Sequence, residues 1–435
     1  VITDRTLDFL CELDRLFSCT QASPSIDITL VTTGALWFEG ELPTGVTASF
    51  GAAIGYARSA RKESISGSWR IVDTDPDWTR DQTTDELSRL FLTDVMTQGE
   101  IICREDRRYR REISKLEISQ KDLRPFSDET SCLITGGLGG LGLVAAKQLA
   151  DRGAKTIWLI GRSKPGADAR AVISSLEEAG VGIFVRQVNI EEPAAVASLI
   201  EEIRRNGVPL RGIYHCAGVL EDRTAGRYSR SNFDGAVRPK LLGALLLDQM
   251  TADEPITEFV LFSSISAVFG NMGQAAYGAA NESMATVAAS RVRRGLPALV
   301  LEWGPWRDIG MAARQGPDLL SRLATQGFHA LTSAEGSELL GQGLMGERVK
   351  VIAAILGDGE SVKDSPEGRL VASDIGRPEK QNETPFLRDL VGLSFAETIQ
   401  KLSDYLYSEI NAALKGSGKG EVGEFTPLFD IGLDS

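Results

Sequence analysis

Short apolar segments alternate with helix-like segments from residue 131 onward, and this alternation constrains the fold more than any other feature of the chain. "SCLITGGLGGLGLVAAKQLADRGAKTIWLIGRS" (131–163) has the pattern strand, glycine-rich turn, helix, strand. "VGIFVRQVNI", "LRGIYHCAG", "ITEFVLFSSIS" and "PALVLEWGPW" are further strand candidates, with helices between them. Strands that alternate with helices predict an α/β fold with a parallel, doubly wound sheet.

The same alternation occurs once before, in the first third of the chain. "IDITLVTTG" (26–34) and "SWRIVDTD" (68–75) are predicted strands, and residues 45–63 between them form a predicted helix. A further helix and two short strands (99–117) follow. The loops of this first unit contain no phosphate-binding glycine pattern, so we predict one architecture used twice, with a cofactor loop only in the second unit.

Charge and composition argue against several functional classes. The 435 residues have a formal net charge of −13, which argues against nucleic-acid and anionic-membrane partners. The chain has only two histidines, and its five cysteines show no paired spacing, so we expect no metal site. No apolar run approaches 18 residues and the first residues form no signal pattern, so a cytoplasmic protein is expected.

The glycine-rich turn "ITGGLGGLG" (134–142) follows an apolar strand and opens a helix, as in dinucleotide-binding sites. Gly136 would permit the tight turn, and Gly140 and Gly142 would let a pyrophosphate and the following helix come close. The helix N-terminus would supply free N–H groups to the phosphates. A glycine-rich turn without a ligand is the alternative. The predicted cofactor contacts in this loop are Thr135, Gly136, Leu138, Gly139, Gly140, Leu141 and Gly142.

The end of the next strand indicates which dinucleotide would bind. Arg162 and Ser163 stand where an NAD site would place an acidic residue for the ribose hydroxyls. A cation there suits a 2′-phosphate, so the sequence favours NADP over NAD. The alternative is that Arg162 is a solvated surface arginine.

Two further strand ends supply candidate cofactor contacts. Asn189, followed by Ile190, could bond the adenine amino group, or it could cap a helix that begins at Glu191. In "HCAG", Ala217 and Gly218 are small enough to let the backbone pass along a nicotinamide ribose. His215 of the same motif is predicted to be structural.

The reaction centre is predicted from a serine pair and a tyrosine. Ser263 and Ser264 end a strand, and strand C-termini in such sheets face the ligand crevice. Tyr277 follows on a helix, with Asn281 one turn later on the same face. A carbonyl held by serine and tyrosine hydroxyls could accept a hydride at carbon and a proton at oxygen. A nearby ammonium would lower the pKa of the tyrosine, and Lys240 in "RPKLLGA" is the candidate. Taken singly, each of these residues could instead be structural.

These motifs give residues 26–358 a strong resemblance to one family. "TGGLGGLG", "HCAGVLED", "RPKLLGA", "FSSISAVFGNMGQAAYGAAN" and "LEWGPW" are together similar to the ketoreductase domain of type I polyketide synthases, in the short-chain dehydrogenase/reductase superfamily. The resemblance implies NADPH as cofactor, Tyr277 as proton donor and Ser264, rather than Ser263, as the carbonyl-binding serine. It also assigns the lysine role to Lys240 and places Asn281 where simpler relatives keep lysine.

The resemblance also implies the domain organisation and the partners. Residues 1–127 resemble the truncated Rossmann-like structural subdomain, and residues 128–358 resemble the catalytic subdomain that binds NADPH. A polar linker (359–390) and the first part of an acyl carrier protein (391–435) follow. Ser435 of "DIGLDS" matches the phosphopantetheine attachment serine. The expected partners are a carrier protein bearing a β-ketoacyl thioester and other polyketide synthase domains.

Two positions bear on stereochemistry, and one segment bears on substrate access. Asp222 in "GVLEDR" matches the aspartate of reductases that give the D-oriented, usually 3R, alcohol (B-type), although Glu221 replaces the usual aspartate before it. Phe269 stands where the opposite class has tryptophan. Asp222 could instead cap a turn. Residues 307–328 match a mobile lid by position, and core packing explains their apolar spacing equally well.

Two other functions compete with an NADPH-dependent β-ketoacyl reductase. The first is a catalytically inactive ketoreductase-like scaffold or docking module, but such domains usually lose the tyrosine or the glycines that this chain keeps. The second is a stand-alone reductase of the fatty-acid type, which needs neither a doubled fold nor a carrier-like tail.

Overall fold

The computed structural model describes most of residues 2–357. The described ranges are 2–21, 28–36, 48–64, 69–92, 99–105, 107–109, 125–126, 129–346 and 348–357. The predicted linker, the carrier-like segment and Ser435 lie outside the described residues.

The first unit is built around a four-stranded sheet. Its elements are α1 (Ile2–Gln21), β1 (Ile28–Thr33), α2 (Ala48–Glu63), β2 (Trp69–Thr74), α3 (Arg80–Leu92), β3 (Gly99–Arg104) and β4 (Arg107–Tyr109). The strand order is β1-β2-β3-β4; the first two pairings are parallel and the last is antiparallel. The strands and helices predicted in this unit are therefore present. Helix α1, which was not predicted, buries Leu7 and Leu10.

The carboxylate of Asp73, on β2, lies against the turn that follows β1. The corresponding turn in the second unit is the glycine-rich loop after its first strand. Asp73 is fully buried. Its Oδ1 accepts hydrogen bonds from the Ala35 amide (2.8 Å) and from Thr32 Oγ1 (2.6 Å), and its Oδ2 accepts one from the Leu36 amide (3.2 Å). Backbone amides that could face an anion are thus bonded to a side chain of the protein itself.

The second unit contains the larger sheet. Its elements are β5 (Ser131–Thr135), α4 (Gly140–Asp151), β6 (Thr156–Gly161), α5 (Ala167–Glu178), β7 (Gly182–Gln187), α6 (Pro193–Asn206), β8 (Leu210–His215), α7 (Arg230–Val237), a π-turn (Arg238–Leu242), α8 (Gly243–Met250), β9 (Glu258–Ser264), α9 (Ile265–Phe269), α10 (Ala275–Arg293), β10 (Leu299–Trp303), α11 (Gly310–Gln315), α12 (Pro317–Thr325), β11 (Phe328–His329), α13 (Ser333–Met345), β12 (Lys350–Ala353) and β13 (Ile355–Leu356).

Seven of these strands form one parallel sheet in the order β12-β10-β9-β8-β5-β6-β7. The strand order reverses at β5, which pairs with both β6 and β8, and every residue of β5 is buried. In open α/β sheets, ligands bind beyond the carboxyl ends of the strands at such a switch point. The predicted α/β fold, with two Rossmann-like units and a doubly wound parallel sheet in the second, is confirmed.

Glycines bring the two units into close contact at the helix that carries Tyr277. A Cβ on Gly55 of α2 would lie 2.3 Å from the carbonyl oxygen of Gly278 on α10. A Cβ on Gly278 would lie 2.7 Å from the carbonyl oxygen of Gly55. Only residues without a side chain allow two helix backbones to approach this closely. The first unit therefore packs directly behind the predicted catalytic tyrosine.

Buried charges also join the units. Arg58 of α2 contacts Glu100 (Nε–Oε1, 2.6 Å) in the first unit and Glu282 (Nη1–Oε2, 3.3 Å) in the second. Lys350 of β12 contacts Glu282 at 2.7 Å and Glu302 at 3.0 Å. Buried charges are tolerated when each has an opposite partner, so these five residues form one connected ion-pair chain. Among the described helices, none has the length and apolarity needed to cross a bilayer.

Candidate active site

A cleft of about 700 Å³ opens at the carboxyl ends of the central strands. The glycine-rich turn after β5 forms one end of it, and Ser264 and Tyr277 line its wall. The segments from Ile309 to Gln315 and from Leu319 to Phe328 contribute further lining residues. The predicted cofactor loop and the predicted hydroxyl pair therefore lie in one continuous cavity.

The glycine-rich turn has the conformation that its sequence predicts. Gly136 has φ +64°, in the left-handed region, and a Cβ there would lie 2.8 Å from the Ala217 amide nitrogen. A Cβ on Gly142 would lie 2.5 Å from the Gly136 carbonyl oxygen. Helix α4 begins at Gly140, and its first residues, whose amides have no partner within the helix, line this end of the cleft. The predicted loop residues other than Thr135 line the cleft: Gly136, Leu138, Gly139, Gly140, Leu141 and Gly142.

A basic segment follows β6 at the same end of the cleft. Arg162 and Ser163, both predicted cofactor contacts, line it, and so does Lys164, which was not predicted. Its position two residues after Arg162 is the sequence signal that could have identified it. An adjoining pocket of about 150 Å³ is lined by residues that include Ile190, Ala217 and Gly218.

Asn189 uses its side chain within its own turn. Its Oδ1 accepts a hydrogen bond from the Glu191 amide at 3.2 Å, and its Nδ2 donates to Glu192 Oε1 at 3.1 Å. It is not among the residues that line either cavity. This geometry corresponds to the capping alternative, although α6 begins at Pro193 rather than at Glu191.

Ser264 and Tyr277 meet at the wall of the cleft. Ser264 ends β9, and its Oγ accepts a hydrogen bond from the Ser266 amide (3.2 Å) at the start of α9. Tyr277 is the third residue of α10 and is 9% exposed. Burial raises the pKa of Tyr277 to about 12, against the opposing effect of hydrogen bonding by Asn281 and Ser264. The phenol is therefore protonated at neutral pH, as a proton donor must be.

Lys240 is buried behind Tyr277 and does not line the cleft. It lies in the π-turn, a helix irregularity that is frequent at functional sites. Its Nζ donates a hydrogen bond to the Phe262 carbonyl (2.8 Å) and lies 5.7 Å from the centre of the Tyr277 ring. A Cβ on Gly218 would lie 2.8 Å from Lys240 Cε, so this glycine leaves room for the lysine. Desolvation lowers the pKa of Lys240 to about 8.

Asn281 is also fully buried, one helical turn after Tyr277. Its Nδ2 donates to the Tyr277 carbonyl oxygen at 2.8 Å. Its Oδ1 has no hydrogen-bond partner in the part of the chain that the structure describes. A buried acceptor of this kind is normally satisfied by an internal water or a ligand group. Asn281 Oδ1 therefore remains able to accept a hydrogen bond at this position.

His215 holds the lysine turn in place. Its Nε2 bonds with the Lys240 carbonyl oxygen (3.0 Å), and its Nδ1 bonds with Thr135 Oγ1 (2.7 Å). Burial, with the Lys240 charge adding to it, lowers the pKa of His215 to about 3, so the imidazole is neutral. The predicted structural role agrees with this geometry. Thr135 accordingly lies beneath the glycine loop and is bonded to the histidine.

Residues 307–328 form two helices over the cleft. Neither α11 nor α12 contains a buried residue, and Met311, Leu319 and Leu323 line the cavity. Ile309 and Leu323 also pack against core clusters, and Phe328 at the end of the segment is buried, so the segment combines cavity lining with core packing. Gln315 of α11 donates a hydrogen bond from Nε2 to Asp222 Oδ2 at 3.0 Å, so Asp222 contacts the covering helix.

Phe269, the other position that the family resemblance connects with stereochemistry, lies in the wall of the cleft. It is 1% exposed, and its ring centre lies 5.0 Å from that of Phe328. The side chain therefore shapes the cavity without projecting into solvent.

Comparison with known proteins places this geometry in a family. The KR domain family matches residues 130–308. The chain is 31% identical over 346 residues to one component of the phenolphthiocerol/phthiocerol polyketide synthase of Mycobacterium tuberculosis (strain CDC 1551 / Oshkosh), covering 77% of this chain and 18% of that protein. It is 31% identical over 423 residues to the polyketide synthase GfsE of Streptomyces halstedii, covering 94% of this chain and 10% of that protein. The chain thus spans less than a fifth of the length of these relatives.

Solved structures give the same result. A structure described as A-type ketoreductases from a modular polyketide synthase superposes with a TM-score of 0.72 at 26% identity, covering 80% of this chain and 72% of that one. A ketoreductase domain from the bacillaene assembly line superposes with a TM-score of 0.69 at 26% identity, covering 83% of this chain and 85% of that one. Residues 130–308 of this chain belong to the KR domain family, and the chain carries a ketoreductase domain of the kind found in polyketide synthases.

Proposed function

We propose that this chain uses NADPH to reduce a carrier-bound β-ketoacyl thioester to the β-hydroxyacyl thioester, within a polyketide synthase. The observation that carries the proposal is the joint placement of Tyr277, Ser264 and buried Lys240 in and behind the cleft that contains the glycine-rich turn. A carbonyl reductase needs a proton donor and a cation beside a nicotinamide, and these side chains supply the first two.

The cradle for the cofactor fits a dinucleotide. The left-handed Gly136 and the crowded Gly142 let the turn close tightly against neighbouring backbone, as the turn of a dinucleotide-binding site requires. Arg162 and Lys164 lie at the same end, which suits a 2′-phosphate and supports NADPH over NADH. When bound, the nicotinamide supplies a hydride for the substrate's C3 carbonyl carbon.

The protein residues handle the proton. Ser264 Oγ donates a hydrogen bond to the substrate oxygen and orients the carbonyl. As negative charge develops on that oxygen, Tyr277 transfers its phenolic proton to it, which completes the alcohol. The Lys240 ammonium stabilises the tyrosinate that remains, and Asn281 Oδ1 accepts a hydrogen bond from the water that returns a proton to Tyr277.

We propose a B-type product, with the D-oriented hydroxyl. Asp222 supports this through its match to the family motif, and the absence of tryptophan at Phe269 supports it too. The partner would be an acyl carrier protein that delivers the thioester on phosphopantetheine, and Ser435 would be the attachment point in the carrier-like segment. Chiral analysis of the alcohol formed from a model diketide thioester tests the stereochemical part.

Turnover and NADPH binding separate an enzyme from an inactive scaffold. The assay follows the loss of NADPH absorbance at 340 nm with a β-ketoacyl thioester. Tyr277→Phe removes the proton donor, so kcat should fall by about 10²–10⁴-fold, while the Kd for NADPH should change less than about threefold. A wild-type chain that neither binds NADPH nor reduces the thioester is an inactive scaffold. A Tyr277→Phe variant with normal turnover refutes the assignment of the donor.

A further inference from the structure

Two loops form the mouth of the cleft. The first, here called the Asp222 loop (216–229), connects β8 to α7, and its residues 216–220 line the cavity. The second, the Gln274 loop (270–274), connects α9 to α10 and leads directly to Tyr277. Residues of both loops line the cavity beside Tyr277, so the spacing of the loops affects the room beside the tyrosine.

A single carboxylate from the first unit joins the two loops. Glu63 is the last residue of α2. Its Oε2 accepts a hydrogen bond from the Ala225 amide at 2.7 Å, and its Oε1 accepts one from the Gly273 amide at 2.9 Å. Each oxygen of this half-buried carboxyl group thus holds one loop. The carboxylate adds to direct bonds between the loops, which run from the Arg223 amide (2.8 Å) and the Tyr228 hydroxyl (3.0 Å) to the Gly273 carbonyl oxygen.

Other residues of α2 contact the backbone segment that leads into the Gln274 loop. Arg58 Nη1 donates to the Ala267 carbonyl oxygen at 2.6 Å, and Ser59 Oγ accepts from the Asn271 amide at 3.1 Å. Gly270 has φ +68°, and a Cβ there would lie 2.1 Å from the Arg58 carbonyl oxygen. Residues 267–273 therefore lie against α2 along more than one turn, with Glu63 at the end of this contact.

A second carboxylate provides a natural comparison. Asp14 of α1 accepts hydrogen bonds from the amides of Gly226 (2.7 Å) and Tyr228 (3.0 Å) and from the Tyr56 hydroxyl (2.9 Å). Like Glu63, it comes from the first unit and holds the Asp222 loop. Unlike Glu63, it makes none of its hydrogen bonds to the Gln274 loop.

We propose that Glu63 is a positioning residue for the acyl substrate, which fixes the spacing of the Asp222 and Gln274 loops and thereby the face of the ketone presented for reduction. The inference rests on the proposed function. An ionised carboxylate can accept both N–H bonds, whereas a glutamine has one acceptor oxygen and turns an NH₂ group toward the other N–H. Glu63→Gln therefore breaks one of these two bonds at nearly constant side-chain volume and loosens the loop that it held.

The test compares Glu63→Gln with two controls. Glu63→Gln should raise KM for a diketide thioester about 5–10-fold and increase the minor alcohol isomer at least threefold, with the Kd for NADPH and kcat within about twofold of the wild type. Asp14→Asn, which disturbs one loop only, should leave the isomer ratio within about twofold. Asp248→Asn removes the ion pairs to Arg291 and Arg294 at the far end of α10 and should lower stability without altering KM or the ratio.

Hydrogen exchange tests the bonds of Glu63 to the two loops without requiring an active enzyme. Glu63→Gln should speed amide exchange at Ala225 or Gly273 at least tenfold, and Asp248→Asn should leave both unchanged. A wild-type chain without activity refutes the proposed function, and the exchange measurement then still decides whether the Glu63 link exists. Wild-type KM and isomer ratio in an active Glu63→Gln enzyme, or unchanged exchange at both amides, overturns the inference.

Discussion

Replacing Lys240 by methionine should make the enzyme slower and more stable at once. The substitution keeps an unbranched side chain of similar length and removes only the ammonium. Lys240 is 2% exposed, and its Nζ has the Phe262 carbonyl as its hydrogen-bond partner. Because the charge is buried and held near Tyr277, its effect on catalysis and its effect on folding have opposite signs.

The catalytic effect follows from the distance between the charges. Nζ lies 5.7 Å from the centre of the Tyr277 ring. At an effective dielectric constant of about 20, an ammonium stabilises a full tyrosinate charge at that distance by about 3 kcal/mol, and a half-developed charge by about half as much. Since 1.4 kcal/mol is a factor of about ten, kcat should fall about 10–100-fold in Lys240→Met.

The effect on folding follows from the pKa of the buried amine. Lowering the pKa of Lys240 from 10.5 to about 8 corresponds to about 3 kcal/mol against the charged form in the folded state. The unfolded chain binds the extra proton between these values, so this cost is fully present below pH 8 and disappears as pH rises toward 10.5. In Lys240→Met, the loss of the hydrogen bond to the Phe262 carbonyl offsets about 1 kcal/mol of this gain in stability. The free energy of unfolding of Lys240→Met should therefore exceed that of the wild type by about 2 kcal/mol at pH 7.

Two measurements check this prediction. Single-turnover reduction of a diketide thioester, followed at 340 nm, should show a wild-type rate that declines above about pH 8 as Lys240 loses its proton, and a slower rate in Lys240→Met without that decline. Urea unfolding at pH 7 should show the gain in stability. Lys147→Met, on the exposed side of α4, is the control and should change neither. A destabilised Lys240→Met variant with the wild-type rate and pH profile would refute the reasoning.

Two further predictions concern the interface between the units and the cofactor. Gly55→Ala pushes a Cβ against the Gly278 carbonyl, so the free energy of unfolding in urea should fall by about 1–3 kcal/mol. The control Gly166→Ala places a Cβ that meets no atom within 4 Å and should change this free energy by less than about 0.5 kcal/mol. Equal losses in the two variants would contradict the close packing. Arg162→Ala should raise the Kd for NADPH about 10–100-fold, which corresponds to one charge-assisted hydrogen bond, and should leave the Kd for NADH within about twofold. Fluorescence titration with both nucleotides measures the two constants. An equal loss of affinity for both nucleotides would exclude a role for Arg162 at the 2′-phosphate.

The parts of the fold and site that the sequence predicts are those with a local signal. The glycine-rich turn and the alternation of strands and helices lie within short windows, so the parallel sheet and the Gly136 conformation could be predicted. Tyr277 and Asn281 share a face of one helix, and their spacing alone indicates this. The family resemblance then connected them to Lys240 and Ser264, which are distant in the chain.

The remaining features depend on contacts between distant residues and have no local signal. Glu63 ends an ordinary helix, and nothing near it in the sequence shows that its carboxylate reaches Ala225 and Gly273. The π-turn that holds Lys240 has no signature beyond a proline. Asn189 shows the reverse problem, because a strand-end asparagine fits adenine binding and turn capping equally well by pattern. Its bonds to neighbouring residues became visible only in the structure.

The ion-pair chain from Glu100 through Arg58 and Glu282 to Lys350 has a consequence for domain exchange between synthases. If the catalytic half were transplanted alone, Glu282 would lose one of its two cations, and the glycine face of α10 would be exposed to water. Grafting a catalytic half onto a foreign first half would require a matching arginine and matching glycines at the seam. The smallest unit that can be moved is therefore the pair of halves together.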